Sequence, residues 1–257
     1  MYKKFFGYRP ILKNKWEIEI LRKANTIVME ILLNFKEKVK PGISTFEFEE
    51  LALELCEKKK VKPAFKGYRG YPYAVCVSVN EVIVHGMPKK ERILKEGDIV
   101  SFDFGAIYEG YVGDAALTVG VGEISEKAKE LLKVTEEALY KGIEKAHFGN
   151  RIGDISHAIQ KHVENYGFNV IREFVGHGVG RQLHEPPEVP NFGKPGKGPK
   201  IEIGMVLAIE PMVSAGSHEV EILEDGWTAV TKDRSLAAHF EHSVAITPKG
   251  PEILSKI

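Results

Sequence analysis

Apolar residues recur at helical spacing in two stretches that lie 107 positions apart. In the first, Leu21, Ala24, Ile27, Val28, Ile31 and Leu32 fall at intervals of three and four, the stripe of an amphipathic helix. In the second, Ala128, Leu131, Val134, Ala138 and Leu139 repeat that stripe, with Thr135 opposite Val28. A glycine follows each one, Gly42 and Gly149, and a second helical stripe begins after each glycine. Phe48, Leu51, Ala52 and Cys56 superpose there on Ile155, Ala158, Ile159 and Val163. Ser44 or Thr45 is expected to cap one of these second helices and Asp154 the other.

Runs rich in Val, Ile and Phe then predict strands over residues 74–84, 98–104, 115–121, 205–213 and 243–246. Each copy reads helix, turn, helix, irregular segment, strands. Helices grouped before strands point to an α+β layer fold rather than a parallel α/β sheet. The expectation is one domain over 1–257, built of two halves, about 12–122 and 123–250, around a pseudo-twofold axis. Their strands would join into one curved antiparallel sheet with the helices on its outer face.

Composition narrows the partners. With 36 basic and 36 acidic residues the formal charge is zero, so nothing points to specific nucleic-acid binding. No stretch approaches the ~20 apolar residues of a membrane span, and the start, residues 1–10, has no long apolar core of a signal peptide. Only Cys56 and Cys76 are present, and buried free thiols in a reducing cytosol are the expectation.

The chemistry begins with acids set among apolar residues. Asp103 lies in Ile99-Val100-Ser101-Phe102-Asp103-Phe104 and Glu210 in Val206-Leu207-Ala208-Ile209-Glu210-Pro211, each six residues after a glycine, Gly97 and Gly204. The same offset of 107 relates them, and a carboxylate in such a strand is costly unless a positive charge pairs with it. Eleven residues beyond Asp103 stands Asp114. A hairpin turning at Glu109-Gly110 would pair Gly105 with Asp114 and put both aspartates on one face. Alone, the pair reads as either a solvated hairpin face or a cation site. His177 lies in Gly176-His177-Gly178, where glycines allow close backbone approach. Glu241 shares a strand face with His239 and Ser243. Four carboxylates and one imidazole form a hard-oxygen set with one nitrogen, suited to Mn²⁺, Fe²⁺, Co²⁺ or Zn²⁺, and four negative charges balance two divalent ions.

Asn80-Glu-Val-Ile-Val-His85-Gly, Ser101-Phe-Asp103-Phe-Gly, Gly113-Asp114, Gly176-His177-Gly-Val-Gly180, Leu183-His184-Glu185, Ile209-Glu210-Pro-Met and Phe240-Glu241-His together resemble the type I methionine aminopeptidases. The resemblance runs over essentially the whole chain. It implies the pita-bread fold and hydrolysis of the initiator methionine from nascent proteins and peptides through a hydroxide shared by two metal ions. It further implies that Asp103, Asp114, His177, Glu210 and Glu241 are the metal ligands, with Asp114 and Glu241 bridging. His184 would polarise the scissile carbonyl, His85 would hold the substrate near its scissile nitrogen, and Glu210 would also be the general base. Phe65, Tyr68, Tyr71, Cys76, Leu183 and Trp227 match the methionine pocket, although relatives often carry Cys at the first of these and Phe at Leu183. The same resemblance implies a cytoplasmic monomer, of the minimal bacterial form, that meets chain ends at the ribosome or free in solution. The rival readings are an Xaa-Pro peptidase of the same fold, which usually has a large N-terminal domain, and a non-catalytic binding protein, which would have lost ligands.

Overall fold

The computed structural model describes residues 9–256; the start of the chain, 1–8, on which the expectation of no leader partly rests, lies outside the described residues, as does 257. Four helices form where the stripes predict them: α1 Lys15–Lys38, α2 Phe46–Lys59, α3 Glu126–Ile143 and α4 Ile152–Asn165. Asn14 caps α1 in a reciprocal box, accepting from the Glu17 amide while Glu17 accepts from the Asn14 amide. Of Ser44 and Thr45, Thr45 holds the cap position of α2 without a side-chain cap bond, and the Ser44 hydroxyl one residue earlier accepts from the Phe46 amide. One cap expectation is corrected: Asp154 sits inside the first turn of α4, where its carboxylate accepts from the Arg151 amide, and Arg151 is the cap position.

The principal sheet has nine strands, all pairs antiparallel. From one edge its order is Lys62–Pro63, Ile99–Tyr108, Tyr111–Gly120, Glu241–Thr247, Val206–Ile209, Gly176–Gly178 and Glu185–Val189, with Val75–Val79 and Gly250–Ile253 pairing off this path. The Tyr111–Gly120 and Glu241–Thr247 strands meet at its centre through Glu241 opposite Ala116 and His242 opposite Ala115. Two three-stranded sheets flank it.

Two predicted strands are each divided in two. The 74–84 run becomes Val75–Val79 and Val82–Val84, because Asn80 adopts φ +56, a conformation that asparagine tolerates. The 205–213 run becomes Val206–Ile209 and Met212–Ser214; Pro211 has no N–H for a ladder. The hairpin at Glu109-Gly110 forms with positive φ at both residues, +48 and +79, and Gly105 pairs with Asp114. Gly97 and Gly204 have φ +88 and +95, and Gly42 and Gly149 +91 and +90.

Strand alternation separates core from cavity. Val100, Phe102 and Phe104 pack with Val28, Phe35 and Phe48 of α1 and α2. Leu207, Ile209, Val244 and Ile246 pack with α3 and α4 residues such as Leu131, Ile155 and Ile159. Ser101, Asp103 and Ala208 therefore point to the opposite, hollow side of the sheet.

Candidate metal centre

Asp103 stands opposite Cys76 and Ala116 on the neighbouring strands. Asp114, two residues from Ala116, is its diagonal neighbour on the same face. The backbone around Asp114 is held from three sides. Its amide donates to Asn25 of α1, its carbonyl accepts from the Ser243 hydroxyl, and Gly113 lets α1 cross so closely that a Cβ there would lie 2.5 Å from the carbonyl carbon of Ala24. His177 owes its place to its flanking glycines. A Cβ on Gly176 would lie 2.3 Å from the Ala208 carbonyl oxygen, and one on Gly178 2.5 Å from that of Pro186. These glycines thus bring neighbouring strands together around His177, rather than admitting a ligand to the backbone. Glu210 occupies the break before Pro211, its carbonyl accepting from the Asn191 side chain. Glu241 begins the central Glu241–Thr247 strand.

All four acids meet on the floor of one cavity of about 560 Å³. Burial raises each carboxyl pKa. Asp103 and Glu210 rise to about 7, Asp103 further influenced downward by His239 and upward by Glu210. Asp114 and Glu241 rise well above the usual range, through burial first and the other acids next. Asp103 Oδ1, Asp114 Oδ1 and Glu241 Oε1 are covered and have no hydrogen-bond partner, a costly arrangement for groups that only accept when ionised.

His177 shows what these oxygens suit. Its Nδ1 lies 2.9 Å from the Gly178 carbonyl oxygen, so Nδ1 carries the proton. Its Nε2 lies 3.3 Å from Glu210 Oε1 and 3.7 Å from Asp114 Oδ2. Donors sharing one ion at ~2.0–2.2 Å stand about 3–4 Å apart, the spacing found. Asp114, His177 and Glu241 can each offer a ligand atom within 4.8 Å of the others'. The donor set fits a divalent ion.

The remaining sequence-predicted residues line the same cavity. Phe65, Tyr71, Cys76 and Leu183 are buried, while Tyr68 and Trp227 are partly exposed. Tyr71 donates to the Gly86 carbonyl at 3.1 Å and meets Trp227 edge-on, ring centres 5.2 Å apart. Burial raises the Tyr71 hydroxyl and Cys76 thiol, so both stay protonated. His184 stacks on Tyr68, with Nδ1 2.7 Å from the Tyr68 hydroxyl, and its ring centre is 4.2 Å from that of His177. His85, at φ +59, meets Phe174 and Trp227 edge-on. Burial lowers His85 to about 4 and His184 to about 2, keeping both imidazoles neutral.

Sequence reasoning missed part of the lining, including Arg69, Phe174, Met212 and Val220. These come from turns and short strands whose placement no local pattern announces. It placed His239 on the Glu241 face but assigned it no part in the site.

A curled antiparallel sheet backed by four helices, with acids and imidazoles gathered on its hollow side, is the pita-bread fold of a class of metallopeptidases. The profile of metallopeptidase family M24 matches residues 19–248. The chain is 56% identical over 247 residues to a methionine aminopeptidase of Clostridium perfringens, an alignment that spans 96% of this chain and 99% of that one. The crystal structure of methionine aminopeptidase from Thermotoga maritima superposes with a TM-score of 0.95 at 55% identity, covering 97% of this chain and 100% of that one. Prolidase from Pyrococcus furiosus superposes less well, with a TM-score of 0.79 at 25% identity; 96% of this chain matches only 66% of that one. The chain belongs to metallopeptidase family M24 and, within it, to the methionine aminopeptidases. It is a hydrolase of a metal-dependent class. No helix among the described residues is long and apolar enough to cross a membrane.

Proposed function

We propose that this protein hydrolyses the bond after an N-terminal methionine, using two divalent ions held by Asp103, Asp114, His177, Glu210 and Glu241. Asp114 and Glu241 would bridge them, and Co, Mn, Fe or Zn would suit the donors. The observation that carries the reading is the pairing, in one cavity, of partnerless buried carboxylate oxygens with an aromatic, sulfur-bearing wall. Bound ions would supply Lewis-acid polarisation and make water nucleophilic near neutral pH.

The chain's own groups do the rest. Phe65, Tyr68, Tyr71, Cys76, Leu183 and Trp227 enclose the methionine side chain, whose flexible, polarisable thioether packs well against aromatic edges. Tyr68, kept protonated by burial, donates to His184 Nδ1, which leaves the proton of His184 on Nε2. From the cavity wall that N–H would stabilise charge developing on the scissile carbonyl oxygen. His85 stands against Trp227 and holds the substrate near its scissile nitrogen. Glu210 takes the proton of the attacking water and is the general base.

The same reading makes the chain one catalytic domain of two related halves, about 12–122 and 123–250. The matching glycine conformations at offset 107 and the central Tyr111–Gly120 and Glu241–Thr247 pair support it. It also takes the protein to be a cytoplasmic monomer acting on chain ends at the ribosome. The test is to strip metal with chelator, restore Mn²⁺ or Co²⁺, and offer Met-Ala-Ser beside Ala-Pro-Ser. Metal-dependent release of methionine alone is expected. Cleavage of the proline peptide alone would overturn the reading in favour of the rival peptidases.

A further inference from the structure

His239 is 1% exposed, and its Nε2 is covered and without a hydrogen-bond partner. It lies 3.6 Å from Glu210 Oε2, too far for a hydrogen bond and at the spacing of two donors to one ion. Glu210, His239 and Glu241 can offer ligand atoms that lie mutually within 4.8 Å. The triad has the composition of Asp114, His177 and Glu241, one imidazole with two carboxylates, and Glu241 belongs to both. Glu210 turns Oε1 toward His177 and Oε2 toward His239.

The backbone of His239 is also fixed. Its amide donates to the Thr118 hydroxyl at 3.0 Å, and its carbonyl lies 2.7 Å from the same oxygen. Thr118 in turn meets the Ser101 hydroxyl at 2.8 Å. Opposite, His239 pairs with Met212. An imidazole on so constrained a residue is preorganised. A buried nitrogen lacking a partner is costly in itself, and the facing charged groups, Asp103, Glu210 and Glu241, are all acidic.

We propose that His239 is a sixth protein ligand, which closes a second metal triad with Glu210 and Glu241 so that each ion has one imidazole. The inference rests on the metal reading given above. A second nitrogen donor would tilt the site toward Fe²⁺, Co²⁺ or Zn²⁺ over Mn²⁺, since imidazole suits the former ions better.

The test uses the whole chain, freed of metal and titrated with Co²⁺, with binding followed by calorimetry and by the visible absorption of bound cobalt. In His239→Gln one equivalent should bind as in the unmodified protein. The other should weaken at least ~10-fold, with an altered cobalt spectrum and an unchanged circular dichroism of the metal-free state. Two unchanged affinities and an unchanged spectrum would overturn the proposal while leaving the five-ligand centre intact. Failure of the unmodified protein to bind any metal would overturn the centre as well. Should His239→Gln not fold, X-ray absorption of the zinc-loaded unmodified protein decides: two imidazole donors per two ions support the assignment, one overturns it.

Discussion

On the floor of the cavity Asp114 and Glu241, both buried, keep carboxylate oxygens that meet no donor. One residue beyond His184, at the start of the Glu185–Val189 strand, Glu185 is equally buried and fully partnered. Its Oε2 accepts from Lys13 at 2.6 Å and its Oε1 from the Gln182 amide at 3.1 Å. Lys13 is itself buried and also donates to the Ile11 carbonyl. Two regions of one molecule thus bury carboxylates in opposite ways, one with the cation built into the chain and the other without. Burial alone does not force a carboxylate to go unpartnered in this protein. The floor's arrangement therefore points to an external cation.

Breaking the floor should have the largest effect. Glu210→Ala should lower kcat/KM for a methionyl peptide roughly 10²–10⁴-fold, and the metal-free protein should melt no lower than the unmodified one, since a repelling buried acid is gone. A large loss of metal-free stability would show instead that Glu210 is a structural residue.

Lys13→Met should make the surroundings of Glu185 resemble the floor. It strands Glu185 as an unpaired buried charge, and removing one partner of such a pair costs about 3–5 kcal/mol. Urea unfolding would read this, and a double change, Lys13→Met with Glu185→Gln, should recover much of the loss. No recovery would mean that Lys13 acts through packing of its stem.

Titration sharpens the contrast. Asp103 and Glu210 have folded pKa values near 7 in the metal-free protein, above their unfolded values of ~3.9 and ~4.3. The folded state therefore binds more protons than the unfolded one. The stability contributed by these protonated groups is complete below about pH 4 and is lost as pH rises through about 7. The melting temperature of metal-free protein should fall from pH 5.5 to pH 8, and a saturating divalent ion should abolish that fall. A fall that persists with metal bound would place its origin elsewhere.

The smallest effect belongs to the wall. Trp227→Ala removes an apolar face from the pocket and should raise KM about 10-fold, the equivalent of ~1.4 kcal/mol of lost burial, with kcat little changed. A loss in kcat alone would assign Trp227 to orienting His85, which it meets edge-on.

Much of this was legible in one dimension. The hairpin at Glu109-Gly110 and its pairing of Gly105 with Asp114 followed from a two-residue turn and strand alternation. The burial of Asp103 followed from the apolar residues around it. The breaks at Asn80 and Pro211 were missed because apolar content reports burial rather than continuity of a ladder, although both residue types are known punctuators. Asp154 was misplaced by one turn, since aspartate favours both the cap and the first turn of a helix. His239 was seen to share a face with Glu241, but a lone imidazole in an apolar strand gives no sign of what faces it across the sheet.

The sequence by itself determined the helices, the strand faces and the duplicated frame, because these depend on the 3.6- and 2-residue periods of neighbouring side chains. It also determined, through resemblance, the family and the residues that carry its motifs. Only the tertiary structure decided that His177 stands beside Glu210 and Asp114, that Lys13 reaches Glu185, and that His239 faces the acids. The contacts of His239 with Glu210, of His177 with Glu210 and Asp114, and of Lys13 with Glu185 join residues from 29 to 172 positions apart. Distances of 3–4 Å between such groups depend on strand register and on where glycines let backbones close, which no local pattern along the chain encodes.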